Sequence, residues 1–308
     1  MDYKEFCVLT YNNIYTHEIT NQKTRNVEQR ERFAQKKAIR DALIEGIKKY
    51  PGVEVSLIWK AIYAEHVKRK SGVHGVTDPK DVQAVISADN SWKKSSGHAF
   101  EETIKLLANE KLNPQGIKIY LQRELSELIQ AGKIFNEEHD IKNILSWIKS
   151  SVFDLYAVVD MGNKPRVFGC IQTKTSIRDR VTRDREPSIL AMRAFFWSTA
   201  VVLDGDFLKL PKFQFMVNGA SHDYPENGWH GMYVFSEKYN KDRIYHIGQE
   251  LKKFVDHAGI AATYWLKNRQ WFNVQWRVEN HAYDQKEHTN FIGKVAEPTI
   301  KRNSKRGE

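Results

Sequence analysis

Residues 151–174 read SVFDLYAVVDMGNKPRVFGCIQTK, two β-rich runs joined by a turn containing Gly162, Asn163 and Pro165. Alternating apolar runs on either side of such a turn predict an antiparallel hairpin. Asp154 interrupts the first run, where a carboxylate must be paired, hold a metal or face a cleft. Lys174 lies near the end of the second run, so hairpin pairing can bring it beside Asp154 at one edge of a sheet. The chain continues as TSIRDRVTRDREPS, with two copies of Arg-Asp-Arg and then Glu186, next to a helix predicted to carry Pro187 in its first turn. The positive end of a helix favours a carboxylate at that place.

Outward from the hairpin, the upstream half reads as helical. In residues 26–50, Ala34, Ala38 and Ala42 form one i, i+4 row and Ile39, Leu43 and Ile47 the next, and Pro51-Gly52 closes the segment. VEVSLIWKAIYAEHVKRK repeats the pattern up to Ser71-Gly72. SGVHGVTDPK reads as a loop, with Asp78 capping a helix that starts at Pro79. Ser95 or Ser96 is expected to cap a further helix running to about Asn109. IKIYLQ is a predicted strand, and ELSELIQAGK and DIKNILSWIK predicted helices. Downstream of the hairpin, PSILAMRAFFWSTAVVL and DRIYHIGQELKKFVDHAGIAATYWLKNRQWF are expected to be helical, and FQFMVNGA and GMYVFSEK to be strands. The expected organisation is a helical N-terminal region at 1–94 for dimerisation or DNA contacts, an α/β (α+β) domain with a small mixed sheet at 95–295, and a basic disordered tail at 296–308.

With 48 Lys and Arg against 38 Asp and Glu, the 308-residue chain carries a formal charge of +10, which points to a polyanionic partner, nucleic acid first. A hydrophobic share of 41% excludes a disordered chain. Cys7 and Cys170 are too few for a disulfide framework and too far apart for a metal motif. The N-terminus lacks the basic start and apolar core of a signal peptide, and the apolar run 194–203 is well short of a membrane span. The expected setting is therefore a reducing cytoplasm, with no membrane association.

Two acids and a lysine meeting at a sheet edge form a device for phosphodiester hydrolysis: Asp154 and Glu186 would hold Mg²⁺, and Lys174 would orient or deprotonate the attacking water. The alternative for Asp154 and Lys174 is a structural ion pair across a hairpin. Arginine can make two hydrogen bonds to guanine O6 and N7, and aspartate can accept from cytosine N4. Arg178, Asp179 and Arg180 could therefore read two adjacent G·C pairs, which a twofold dimer would double into CCGG. The alternative here is a solvent-facing, salt-bridged loop. Lys93, Lys94, Ser95 and His98 are candidate further DNA contacts.

Together these residues resemble the Type II restriction endonucleases that recognise CCGG-containing sites, a branch of the PD-(D/E)XK nucleases. In that branch an R-(D/E)-R element follows the catalytic lysine by four residues, as Arg178-Asp179-Arg180 follows Lys174, and the second acid is moved to the next helix. Gln172 occupies the vacated acid position and Glu186 would be the relocated acid. The resemblance extends through NSWKKSSGHAFEE, SVFDLY, LDGDFLK and NGWHGMYVF, about residues 30–275. It implies that Glu101, on an early helix, supports the metal site. It also implies a homodimer or higher oligomer that cleaves duplex DNA before the first C of CCGG to leave 5′ overhangs, in a bacterial host that carries a partner methyltransferase.

The chain departs from the pattern in three places. Phe153 stands where the superfamily has Pro, Glu186 is slightly nearer the lysine than expected, and Arg183-Asp184-Arg185 duplicates the reading element. The first copy is favoured as the reader by its spacing, and the second is left to phosphates, flanking bases or a dimer contact. The rival functions are a repair or recombination nuclease of the same superfamily and a DNA-binding protein that does not cut.

Overall fold

The computed structural model describes residues 1–21, 26–72, 79–175, 181–235 and 241–281. Four helices, α1 (Tyr3–Asn21), α2 (Val27–Lys49), α3 (Val55–Ser71) and α4 (Pro79–Leu112), precede a sheet built from β1 (Ile117–Leu121), β2 (Leu155–Asp160), β3 (Pro165–Lys174), β4 (Trp197–Val202), β5 (Gly231–Val234) and β6 (Ile244–His246). The intervening helices are α5 (Gln122–Gln130), α6 (Glu138–Lys149), α7 (Val181–Arg193), α8 (Pro211–Asn218) and α9 (Lys252–Asn268). The strands lie in sequence order; the β1–β2 and β2–β3 pairs are antiparallel, and the pairs from β3 to β6 are parallel. The mixed α/β architecture and the β2–β3 hairpin match the sequence-based expectation.

Strand periodicity divides the sheet between two apolar layers. Leu155, Ala157, Ile171 and Val201 join the core formed with α2, α3, α4 and α9. Tyr156, Val158 and Cys170 face the opposite way, towards Leu125 of α5, Ile144 of α6 and Ala191 of α7. On that side Ala200 and Val202 pack with Met216 and Val217 of α8. The N-terminal helices thus cover one face of the sheet that ends in Asp154 and Lys174.

Five local expectations change. The helix expected to carry Pro187 in its first turn begins earlier, at Val181, and holds Pro187 in its interior. The helix expected to start at Pro79 does so, but the second start expected at Ser95 or Ser96 is absent: the two expected helices are one uninterrupted helix, α4, which crosses position 94/95 and so links the two expected regions. Asp78 lies outside the described residues. Ala88, Trp92, Ser96, Ala99, Phe100, Thr103 and Ile104 are buried along it, and this packing outweighs the weak helix propensity of Ser95, Ser96 and Gly97. Residues 197–202 are strand β4, not helix. All six are buried, as in a parallel strand covered on both faces, and a short apolar run cannot declare its period. The helix before β4 ends with Phe195 at φ 63°, where Phe195 N donates to Met192 O and Phe196 N to Ala191 O, a Schellman-type stop. Residues 211–218 are helix α8, not strand, because the buried pair Met216 and Val217 and the partly buried Phe213 follow helical spacing. Residues 244–246 form edge strand β6 before α9 begins. The expected disordered tail lies outside the described residues.

The register between β2 and β3 shifts at a bulge between Ala157 and Val158, beside Gly169. A Cβ on Gly169 would lie 3.0 Å from the Trp197 ring, 3.1 Å from Ala157 Cβ and 3.2 Å from the Trp197 carbonyl oxygen. Trp197 is 1% exposed and held against Phe168, Tyr233 and Phe254, so it has little room to yield. Gly169→Ala is expected to destabilise the fold by about 1–3 kcal/mol through overpacking. Denaturant unfolding measures this; an unchanged midpoint would show that the Trp197 contact relaxes freely.

Candidate active site

Asp154 immediately precedes β2, where its backbone N donates to Ile171 O at 3.0 Å and continues the hairpin ladder. Phe153 is fully buried, edge-on to Trp147 and Tyr156, and anchors the chain from the other side. Asp154 Oδ2 accepts from Thr173 N at 2.6 Å and from Lys174 Nζ at 3.3 Å. Burial pushes the Asp154 carboxyl above its ordinary value; Lys174 and the Thr173 N–H oppose the shift, and the Glu101 charge adds to it. A carboxylate held in this uncomfortable ionised state is suited to receive a cation.

Lys174 Nζ also lies 3.6 Å from Asp184 Oδ2, on the first turn of α7. Asp184 is fixed through its backbone: Gln172 Nε2 donates to Asp184 O at 3.0 Å and to Val152 O at 3.3 Å, while Gln172 Oε1 accepts from Trp229 Nε1 at 2.8 Å. Gln172, only 1% exposed, therefore ties the start of α7 to the segment leading into Asp154. Arg185 runs the other way. Its guanidinium donates to the carbonyls of Met216 and Glu226 and lies over the Tyr224 ring, and its side chain would meet a Cβ at Gly228. Burial lowers its pKa from the ordinary arginine value.

The structure thus brings Asp154, Lys174 and Asp184 together. Glu186 is exposed and forms no hydrogen bond or ion pair with a described residue. Two residues apart on a helix corresponds to about 200° of rotation, so when Asp184 faces Lys174 its neighbour at 186 does not. Arg183 is exposed on the same turn. Arg178, Asp179 and Arg180, and the side chains of Lys93 and Lys94, lie outside the described residues. Ser95 is buried against Gln35 of α2; its neighbours Ser96 and Gly97 line the cleft instead.

Glu101 enters the site from α4, its Oε2 3.1 Å from His98 Nδ1. That bond raises the His98 pKa; burial opposes the shift and the Asp154 charge supports it. The adjacent Glu102 is committed elsewhere. Burial would raise its pKa, but Lys36 and Arg40 of α2 bind its carboxylate and hold it below the usual range. Glu101, Asp154, Thr173 and Lys174 line a cavity of about 560 Å³, to which Lys60 and Tyr63 of α3 also contribute. Neither α3 residue carries a local sequence signal for a site. Asp184 was legible only as part of the duplicated Arg-Asp-Arg.

The donor set fits a hard divalent cation. Asp154 and Asp184 present carboxylate oxygens on either side of one lysine, and Mg²⁺ is commonly held by one or two carboxylates with water and phosphate oxygens completing the shell. Among the described residues no group of three or more acid, histidine or cysteine side chains is placed to hold a metal ion.

The raised Asp154 pKa has a consequence for stability. Its ionised form is disfavoured by folding, so the penalty is absent at low pH, sets in as pH rises through the ordinary carboxylate range and is complete above the folded value. Without metal, Asp154→Asn is expected to raise the thermal midpoint near neutral pH, with the gain shrinking on acidification. A lower midpoint at neutral pH would show that the Lys174 and Thr173 contacts outweigh burial.

Comparison with known proteins identifies the family. The family model described as BsaWI restriction endonuclease type 2 matches residues 136–271, from the approach to α6 through α9. A solved structure of restriction endonuclease BsaWI in a pre-specific DNA complex is 54% identical, covering 90% of this chain and 98% of that one, with a TM-score of 0.63. A solved complex of restriction endonuclease AgeI with DNA covers 83% of this chain and 91% of its own at a TM-score of 0.57; at 16% identity it supports the fold alone. No curated protein sequence matches. With 54% identity to BsaWI over 90% of this chain and 98% of that one, this chain belongs to the BsaWI family of Type II restriction endonucleases.

Proposed function

We propose that this enzyme binds duplex DNA as a homodimer and hydrolyses one phosphodiester in each strand of a palindrome containing CCGG, with Mg²⁺ as its metal. The observation that carries the chemistry is Lys174, at the end of the interior strand β3, held between Asp154 and Asp184. The solved complex of BsaWI with DNA supports DNA as the substrate. For the sequence read, support comes from Arg178-Asp179-Arg180, which sit between the end of β3 at Lys174 and the start of α7 at Val181. Both flanks of that short stretch carry active-site residues.

In this reading Asp154 and Asp184 hold the ion, which when bound offsets the negative charge that builds on the phosphate during displacement. Lys174 hydrogen-bonds and orients the attacking water, whose oxygen bonds to phosphorus as a P–O bond of the backbone breaks. Glu101, kept half-buried beside His98, accepts a proton from that water. Arg178 and Arg180 each take a guanine, and Asp179 accepts from the paired cytosines. Arg185 braces α7, and Arg183 is left for a phosphate or a flanking base. Cleavage before the first C would leave 5′ overhangs, and a partner methyltransferase would protect the bacterial host's own sites.

Asp184→Asn is expected to slow cleavage roughly 100-fold or more, the scale of a positioned acid or base, while Glu186→Gln stays within a few-fold of the parent. The reverse order would make Glu186 the second acid. Asp154→Ala should abolish cleavage and retain binding to a CCGG duplex; surviving cleavage would remove Asp154 from the chemistry.

Arg178→Ala should lose roughly 1–3 kcal/mol of discrimination for each bidentate contact removed, measured by competition between CCGG and unrelated duplexes. If Arg183→Ala is the more damaging change, the second copy is the reader. Sequencing the ends of digested plasmid DNA tests the site and the stagger together. Cuts without sequence preference would favour a repair nuclease, and binding without cuts a DNA-binding protein.

A further inference from the structure

We propose that Lys60 of α3 is a DNA-backbone contact that closes the catalytic cleft from the helical side, a role that rests on the nuclease reading of the site. The cavity that holds Asp154 and Lys174 is lined by four carboxylates, Asp89, Glu101, Asp154 and Asp204, and by two ammonium groups, Lys60 and Lys174. Lys174 is already shared by Asp154 and Asp184. Lys60 is exposed and forms no ion pair or hydrogen bond with a described residue.

That freedom contrasts with other bases of the helical region. Lys36 and Arg40 are bound by Glu102, Lys37 by Glu18, Lys48 by Glu110 and Lys70 by Glu31. The backbone under Lys60 is nevertheless firmly placed. Ile58 and Ile62 are fully buried, and the Trp59 ring packs edge-on at 4.9 Å from Trp92 and 6.0 Å from Phe100 of α4. One turn either way along the same face, Ser56 and Tyr63 also line the cavity, and the Tyr63 hydroxyl donates to Asp89 at 3.0 Å. A firmly packed helix thus presents, in the lining of the cavity that holds Asp154 and Lys174, an ammonium with no ion pair among the described residues. Such a group binds phosphate as a point charge and carries no base preference.

The test is the salt dependence of duplex binding by the full chain. Lys60→Ala is expected to weaken binding of CCGG and unrelated duplexes by the same factor. The slope of log affinity against log salt should become shallower by about 0.9 per chain, the value for one phosphate contact. Lys60→Arg should keep the parent slope, and thermal midpoints should be unchanged because the side chain braces nothing. An unchanged slope in Lys60→Ala, or a loss confined to the CCGG duplex, would overturn the assignment. Asp154→Ala, measured alongside, separates the two readings. If the parent binds duplex DNA without cutting it, the nuclease reading fails while the slope still decides Lys60; if the parent binds no duplex, both fail.

Discussion

The pairing of β2 with β3 sets Leu155 opposite Ile171, and from that register follows the placement of Asp154 within reach of the Thr173 N–H and the Lys174 ammonium. Because side chains alternate along a strand, a one-residue slip would turn the hairpin's apolar residues out of their layers and separate the acid from the lysine. Gly169 and the adjacent bulge fix that register by admitting Trp197 to the sheet's face. The energetic tension at Asp154, a carboxylate whose charge is opposed by burial, is sustained by this packing.

Around the hairpin, the helical layer does more than cover a sheet. α4 is a single 34-residue helix that packs with α2 and α3 and carries Glu101 into the cleft. The Lys36–Glu102–Arg40 cluster joins α2 to α4 one residue from Glu101, so the orientation of that acid depends on contacts made on the far side of the helix. The N-terminal region and the sheet domain therefore form one site, with walls from α3, α4 and the ends of β2 and β3.

The second Arg-Asp-Arg is resolved by its position on α7. Successive residues on the first turn point in different directions: Asp184 towards Lys174, Arg185 into the carbonyls of Met216 and Glu226, and Arg183 to solvent. Helical rotation of about 100° per residue gives three different surroundings to residues that read as a repeat in one dimension. Gln172, at the position vacated by an acid, becomes the link between the α7 backbone and the approach to Asp154.

Much of this was legible in the sequence. The turn at Gly162 and Asn163 and the flanking β-rich runs determined the hairpin, and with it the proximity of Asp154 and Lys174. The apolar rows of α2 determined a buried helix, and the charge of +10 pointed to a polyanion. Tertiary structure decided the identity of residues 197–202 and 211–218, because short apolar runs take their conformation from the layer that buries them. It decided that Asp184 is the acid beside Lys174, since that depends on where α7 begins: at Val181, well before Pro187. It also decided that Lys60 lines the cleft. Local sequence specifies periodicity and turn chemistry, which reach only a few residues along the chain. Which side chains converge on one phosphate-sized volume is set by how whole helices and strands pack, and no local pattern records it.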